Sequence, residues 1–275
     1  MAECGLLNLA SCLPQKFFEY IEGFLNAPLQ PLLDMVKGLL TAQVNLQIFA
    51  SFWAIIIYML SMFYAFLIMY SGIVFLTSGH DVAKRENAKE WLKNTLIMII
   101  LVQASFFIYE LTVEIASILT STTLSLIAPD YFILKLDSIS NIALTMILYL
   151  FFIIILLISS LFLVIRYALV AIGVVLFPIS IFCYFIQPLR SYGVLILNFL
   201  GVSVFITFID AIFLSGFSQL VKEPVFANMQ ILVMISSFTL INALMVFLLA
   251  FVIVKAANQV ASIGGNISSL VSKFT

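Results

Sequence analysis

The sequence predicts an all-α fold: a polytopic membrane protein of about six transmembrane helices, preceded by N-terminal interfacial amphipathic helices. Three observations predict it. Of 275 residues, 64% are hydrophobic and only 9% charged, where a soluble domain carries about 25% charged residues. Mean hydropathy is +1.23, so there is too little polar surface to coat a water-facing globule. Apolar runs also recur at the length of about 20 residues that a helix needs to cross the bilayer core.

Residues 1–46 form the amphipathic leader. Phe17, Tyr20, Ile21, Phe24 and Leu25 recur at helical spacing, with Lys16, Glu19, Glu22 and Asn26 on the other side. After Pro28 and Pro31 the pattern resumes with Leu32, Leu33, Val36, Leu39 and Leu40 opposite Asp34 and Lys37. Each half is too short to span. Two placements stay open: helices lying in the interface plane, or helices capping the protein's own bundle. The start "MAECGLLNLAS" has no basic region, so no cleaved signal peptide is expected. "LASC", ending at Cys12, resembles a lipoprotein box only superficially.

The transmembrane domain is expected over 47–256. Its six spans fall near Phe49–Leu76, Thr95–Leu119, Ile142–Ile165, Tyr167–Ile186, Tyr192–Phe217 and Ile231–Val254. The run from 142 to 186 is apolar apart from Arg166 and too long for one crossing, so two helices are expected to turn at Arg166–Tyr167. Arg166 would then snorkel to the interface. Pro178 is expected to kink the fourth helix, and "QPLRSYG" reads as the turn after it. Residues 257–275 form a small, polar tail with a break at Gly264–Gly265.

Basic residues in short connections set orientation. "TSGHDVAKRENAKEWLKN" (77–94) holds four of the twelve Lys and Arg, so this loop is expected in the cytoplasm and, with six spans, both termini outside. Arg190 is then expected outside. An outside N-terminus places Cys4 and Cys12 in an oxidising compartment, where a disulfide between them would persist; Cys183 is expected to be a free thiol. The interleaved acids of the loop add nothing to orientation. Lys84, Arg85, Glu86, Lys89, Glu90 and Lys93 therefore have a second reading, as a docking helix that uses both signs of charge for specificity.

Enzymatic chemistry is not expected. The single histidine, His80, excludes a zinc-binding HExxH helix and a three-histidine site. There is no P-loop and no Gly-x-Ser-x-Gly elbow, and no cofactor or metal is expected. The sharper signals are polar residues at membrane depth: Glu110 on the second span, Asn198 and Asp210 on the fifth. Glu114 lies one turn from Glu110. Glu114 is expected at the interface, while Glu110, Asn198 and Asp210 would face a wet cavity or a subunit contact, or line a substrate or ion path. Polar groups in the bilayer face protein or water, so the second and fifth spans are expected to line the interior of a homo-oligomer.

The stretch "SGIVFLTSGHDVAKRENAKEWLKNTLIMII" joins an apolar helix, a Gly/Ser turn, a basic helix start and a second apolar helix. Further on stand Arg166, "LFPISIF", "QPLRSYG" and a last span ending in "NQVASIGGN". This order resembles the TrbL-like inner-membrane channel family of type IV secretion and conjugation systems. It is closest in character to the archaeal branch similar to CedA, which serves DNA import and exchange. The resemblance covers most of the chain and rests on no single signature residue. It implies a conduit subunit for DNA transfer, partnered by membrane lipid, a pilin-like small membrane protein and a cytoplasmic hexameric ATPase, with no catalytic residues. The alternative is a small-solute or ion permease with Glu110, Asn198 and Asp210 on the path, and a third reading is a structural subunit of another envelope assembly.

Overall fold

The computed structural model describes residues 29–77, 82–132, 142–226 and 229–274, together with Tyr20, Gly23 and Ala27. These are helical with no strand among them. Helix α1 covers 29–41, with Pro31 in its first turn, where the missing N–H costs nothing. It is followed by α2 (Ala50–Thr77), α3 (Val82–Gln103), α4 (Ser105–Leu124), α5 (Ile142–Phe185), α6 (Arg190–Leu220) and α7 (Gln230–Phe274). Four helical stretches are long and apolar enough to cross a membrane: Leu46–Thr77, Met146–Phe185, Gln187–Leu220 and Gln230–Lys255. Counted as one broken span, the pair α3–α4, bent by 59° at Ala104, brings the number among the described residues to five.

Three sequence expectations are corrected here. The expected turn at Arg166–Tyr167 does not exist, because α5 runs unbroken for 44 residues. No glycine or proline stands between Ser159 and Ile172 to interrupt it, and the helix also continues through Pro178. The 77–94 loop is mostly helix: α3 begins at Val82, and only 78–81, including His80 and Asp81, lies outside the described residues. The break expected at Gly264–Gly265 in the 257–275 tail is absent, since α7 continues to Phe274 across it. Glycines weaken a helix by about 1 kcal/mol each but keep their N–H donors, so they need not end it.

The expected second span is not straight either. Its bend falls where Trp53 of α2 meets the chain: the indole N–H donates to Ser105 Oγ at 2.9 Å, and the ring meets Phe106 edge-on at 5.5 Å.

The chain forms two compact units. The first comprises residues up to Ala42, Ile118–Ile165 and Thr207–Met245. In it the α1 stripe Leu29, Leu33, Val36 and Leu40 is buried, while Asp34 and Lys37 pair across one turn at 4.0 Å. Lys37 Nζ also sits 4.1 Å over the Phe132 ring. The apolar face of the leader's second half is thus covered by protein. Polar groups tie the helix ends together here. The Tyr131 and Ser237 hydroxyls share a 2.7 Å hydrogen bond, Gln230 Nε2 donates to Tyr131 O at 3.2 Å, and Asn242 Nδ2 donates to Ile155 O at 3.3 Å. Burial pushes the Tyr131 phenol up to about 12, against the opposing pull of its bond to Ser237.

The second unit comprises Gln43–Ser117, Arg166–Ile206 and Val246 onward. One apolar cluster joins Phe106, Tyr109 and Val113 to Val170, Val174, Leu200 and Val204. Another joins Ile57, Leu60 and Tyr64 of α2 to Met98 and Val102 of α3 and to Ile181 and Phe182 of α5. Both exist because α3, α5 and α6 each place an apolar stripe at three- and four-residue steps toward their neighbours.

Candidate functional site

Within the second unit, the polar start of α3 and the α5–α6 turn meet at one cleft. On α3, Ala88, Thr95, Met98 and Val102 form the buried stripe, which turns Lys84, Arg85, Glu86, Lys89, Glu90 and Lys93 outward, all exposed. Trp91 is half-buried and meets Tyr70 of α2 edge-on at 5.6 Å. Arg85 lies 5.7 Å over the Phe75 ring. These contacts fix the helix start against α2.

The cleft has a volume of about 610 Å³. Its rim carries Asn87 and Glu90 from α3 and Gln187 and Arg190 from the α5–α6 turn. Trp91, Asn94, Tyr184 and Phe185 form the walls; Leu67, Thr95 and Met98 lie deeper. Arg190 stacks 5.1 Å over the Tyr184 ring and reaches its hydroxyl at 3.5 Å. A smaller cavity of about 230 Å³ shares Asn87 and Trp91 and adds Tyr70, Ser71 and Lys84. The cleft thus brings Arg190 of the α5–α6 turn and Glu90 of α3 onto one lining.

The polar residues expected at membrane depth fall in different units. Glu110 is half-buried and accepts a hydrogen bond from Gln47 Nε2 at 3.0 Å. Gln47 is itself positioned by the 3₁₀ turn Leu46–Phe49, capped by the Asn45 side chain. Glu114, one turn further, is exposed, as is Asn198 on α6. Asp210 is wholly buried. Glu110 and Asn198 belong to the second unit and Asp210 to the first.

Arg166 does not snorkel. It is buried, with Nε donating to Ser203 O and Nη2 to Val204 O, each at 3.1 Å. A charged fork thus grips two successive carbonyls of α6, each of which has a second lone pair to offer. Nothing in the sequence marks Ser203 and Val204 as its acceptors. Tyr109 is a second buried polar contact that the sequence hides among apolar neighbours: its hydroxyl donates to Val170 O at 2.8 Å.

Cys4 and Cys12 lie outside the described residues, and Cys183 is a free, half-buried thiol. Among the described residues, no three His, Cys, Asp or Glu side chains converge to hold a metal ion. Comparison with known protein families, curated proteins and solved structures found no match.

Proposed function

We propose that this chain is a five-span subunit of a membrane-embedded conduit. In line with its resemblance to the TrbL-like family, the assembly would move DNA in a conjugation-like apparatus. The observation that carries this reading is the exposure of Glu114 in the bent pair α3–α4, which passes as a span only when taken together, and of Asn198 in the span Gln187–Leu220. A charged side chain facing hydrocarbon costs about 2.5–3.5 kcal/mol or more, so these faces need protein or water beside them, as copies arranged around a path would supply. The apolar stretch Met146–Phe185 adds support. Its 40 residues measure about 60 Å along the helix, twice the roughly 30 Å of hydrocarbon that one bilayer offers.

Five crossings put the α2–α3 and α5–α6 connections and the end of α7 on one side. That side gathers Lys84, Arg85, Lys89, Lys93, Arg190, Lys255 and Lys273, against Lys16, Lys37, Lys135 and Lys222 on the other. The excess assigns the first side to the cytoplasm. The N-terminus is then outside, as six spans also implied, and the C-terminus moves inside. The exposed, mixed charges of α3 become the contact for a cytoplasmic hexameric ATPase, with a pilin-like membrane protein as the further partner.

Cross-linking in native membranes tests the assembly. Glu114→Cys and Asn198→Cys, each in a cysteine-free background, are expected to form links between copies and to lower DNA transfer when linked. Monomer alone, with both thiols reached only by lipid-soluble reagents, would defeat the conduit reading. A second reading, a small-solute or ion permease, draws on Asp210, wholly buried within the span Gln187–Leu220. It expects solute flux through a monomer, lost on Asp210→Asn.

A further inference from the structure

We propose that the cleft between α2, the start of α3 and the α5–α6 turn is a lipid-headgroup site. It takes a phospholipid with both a phosphate and a primary amine, the phosphate on the Arg190 wall and the ammonium on the Glu90 wall. The cleft's place along its helices comes first. On α3 the last charged residue is Lys93, and from Thr95 to Val102 the helix is apolar. The cleft straddles that change, with Asn87 and Glu90 above it and Met98 below. After Arg166, α5 and the following Ile186 carry no charge, and the polar residues Gln187 and Arg190 follow at once. Both walls therefore pass from water to hydrocarbon at the cleft. Trp91, Tyr70 and Tyr184 gather at the same level, as aromatic residues do where headgroups lie.

Charge then selects the ligand. Arg190 and the Tyr184 hydroxyl present donors suited to a phosphate oxygen. Glu90, beside the Asn87 and Asn94 amides, presents acceptors suited to an ammonium group. An anion alone would meet the Glu90 carboxylate, and a cation alone would meet the Arg190 guanidinium. A molecule carrying both charges satisfies both walls. About 610 Å³ falls within the roughly 300–1,000 Å³ usual for small-molecule sites. The apolar floor at Leu67, Met98 and Ile186 suits the glycerol and first methylenes. A polyanion such as nucleic acid is disfavoured by the same carboxylate. The site is independent of what the assembly transports.

The test uses the full chain in mild detergent, incubated with equal amounts of short-chain phosphatidylethanolamine and phosphatidylglycerol, with retained lipid counted by native mass spectrometry. These lipids share the phosphate and differ in the amine. Phosphatidylethanolamine should be retained about tenfold more strongly, the size of one charge-assisted hydrogen bond. Arg190→Gln should lower retention of both lipids. Glu90→Gln should erase the preference while phosphatidylglycerol stays, and Lys93→Gln, an exposed charge outside the cleft, should change nothing. All three sites are exposed, so the variants should fold, which circular dichroism checks. Equal retention of the two lipids by the unsubstituted protein would overturn the proposal. So would a preference that survives Glu90→Gln, or retention indifferent to both substitutions, which would leave the cleft to a soluble partner protein.

Discussion

Tyr109 of α4 occupies the space that Gly173 of α5 leaves open. Its hydroxyl donates to Val170 O at 2.8 Å, and a Cβ built on Gly173 would collide with that hydroxyl oxygen, with Tyr109 Cζ at 2.7 Å and with Leu200 Cδ2 at 2.9 Å. One missing methyl group thus lets three helices close around a buried phenol.

Gly173→Ala should therefore destabilise the protein by about 1–3 kcal/mol or more, the usual range for overpacking. Thermal unfolding in detergent measures it. Tyr109→Phe removes the colliding oxygen and also its hydrogen bond, worth about 1 kcal/mol. Because the oxygen is the nearest obstacle, adding Tyr109→Phe to Gly173→Ala should recover part of the loss. Strictly additive losses would mean that the phenol and the glycine do not share this space.

Gly193, at the start of α6, faces a harder obstacle. A Cβ there would meet backbone: Tyr184 N, Ser180 O at 2.6 Å and Tyr184 Cα at 2.7 Å. Backbone cannot rotate aside as a side chain can, so Gly193→Ala should cost more than Gly173→Ala and lower the folded yield. Gly201, on the same helix, has nothing within 4 Å of its Cβ direction. Gly201→Ala should be neutral or stabilising by up to about 1 kcal/mol, from helix propensity alone. Comparable losses at 193 and 201, read from the same unfolding curves, would contradict this account of the α5–α6 hairpin.

Helix type and the apolar spans were legible in the sequence because membrane-length runs need no tertiary context. Where a helix ends was less so. The length of the 142–186 run argued for a turn, but Arg166 cannot break a helix, and its guanidinium found acceptors on α6 instead of water. The charged surface of α3 was legible residue by residue, since Lys84, Arg85, Glu86, Lys89, Glu90 and Lys93 are exposed. The cleft was not, because half of it comes from Tyr184, Gln187 and Arg190, about a hundred residues later in the chain. Their approach to α3 depends on α5 running unbroken to Phe185, which the sequence did not show.

Arg166 should resist replacement. Its two bonds to the Ser203 and Val204 carbonyls are charge-assisted, each worth about 1.5–3 kcal/mol. Lysine keeps the charge but offers a point donor in place of a planar fork. The expected order of detergent unfolding temperatures is wild type, then Arg166→Lys, then Arg166→Met. A lysine variant as stable as wild type would show that the fork geometry is not what α6 requires.

Tyr131 links protonation to the stability of the first unit. Its pKa is raised from 10.0 to about 12 by burial, so folding favours the neutral phenol. That contribution is fully present below pH 10 and is lost as pH rises toward 12. Tyr131→Phe removes the titration along with the Ser237 bond. The variant should start less stable at pH 7 and lose less of its stability between pH 10 and 12. An equal loss in the two proteins across that range would separate Tyr131 from the alkaline transition.

Membrane sidedness is decided by three single cysteines in a background lacking Cys4, Cys12 and Cys183. The proposed five crossings would place Glu86→Cys, next to Asn87 of the cleft's α3 wall, and Arg190→Cys on the same side, and Lys222→Cys, between α6 and α7, on the other. On the proposed topology the basic excess would put the first pair in the cytoplasm. On intact cells an impermeant maleimide should label position 222 alone; after permeabilisation all three should react. The six-span alternative makes a different forecast, because a turn within α5 would separate positions 86 and 190 and leave 190 labelled from outside. Labelling at 190 but not at 222 on intact cells would restore that turn and dismantle the cleft together with the lipid site built on it.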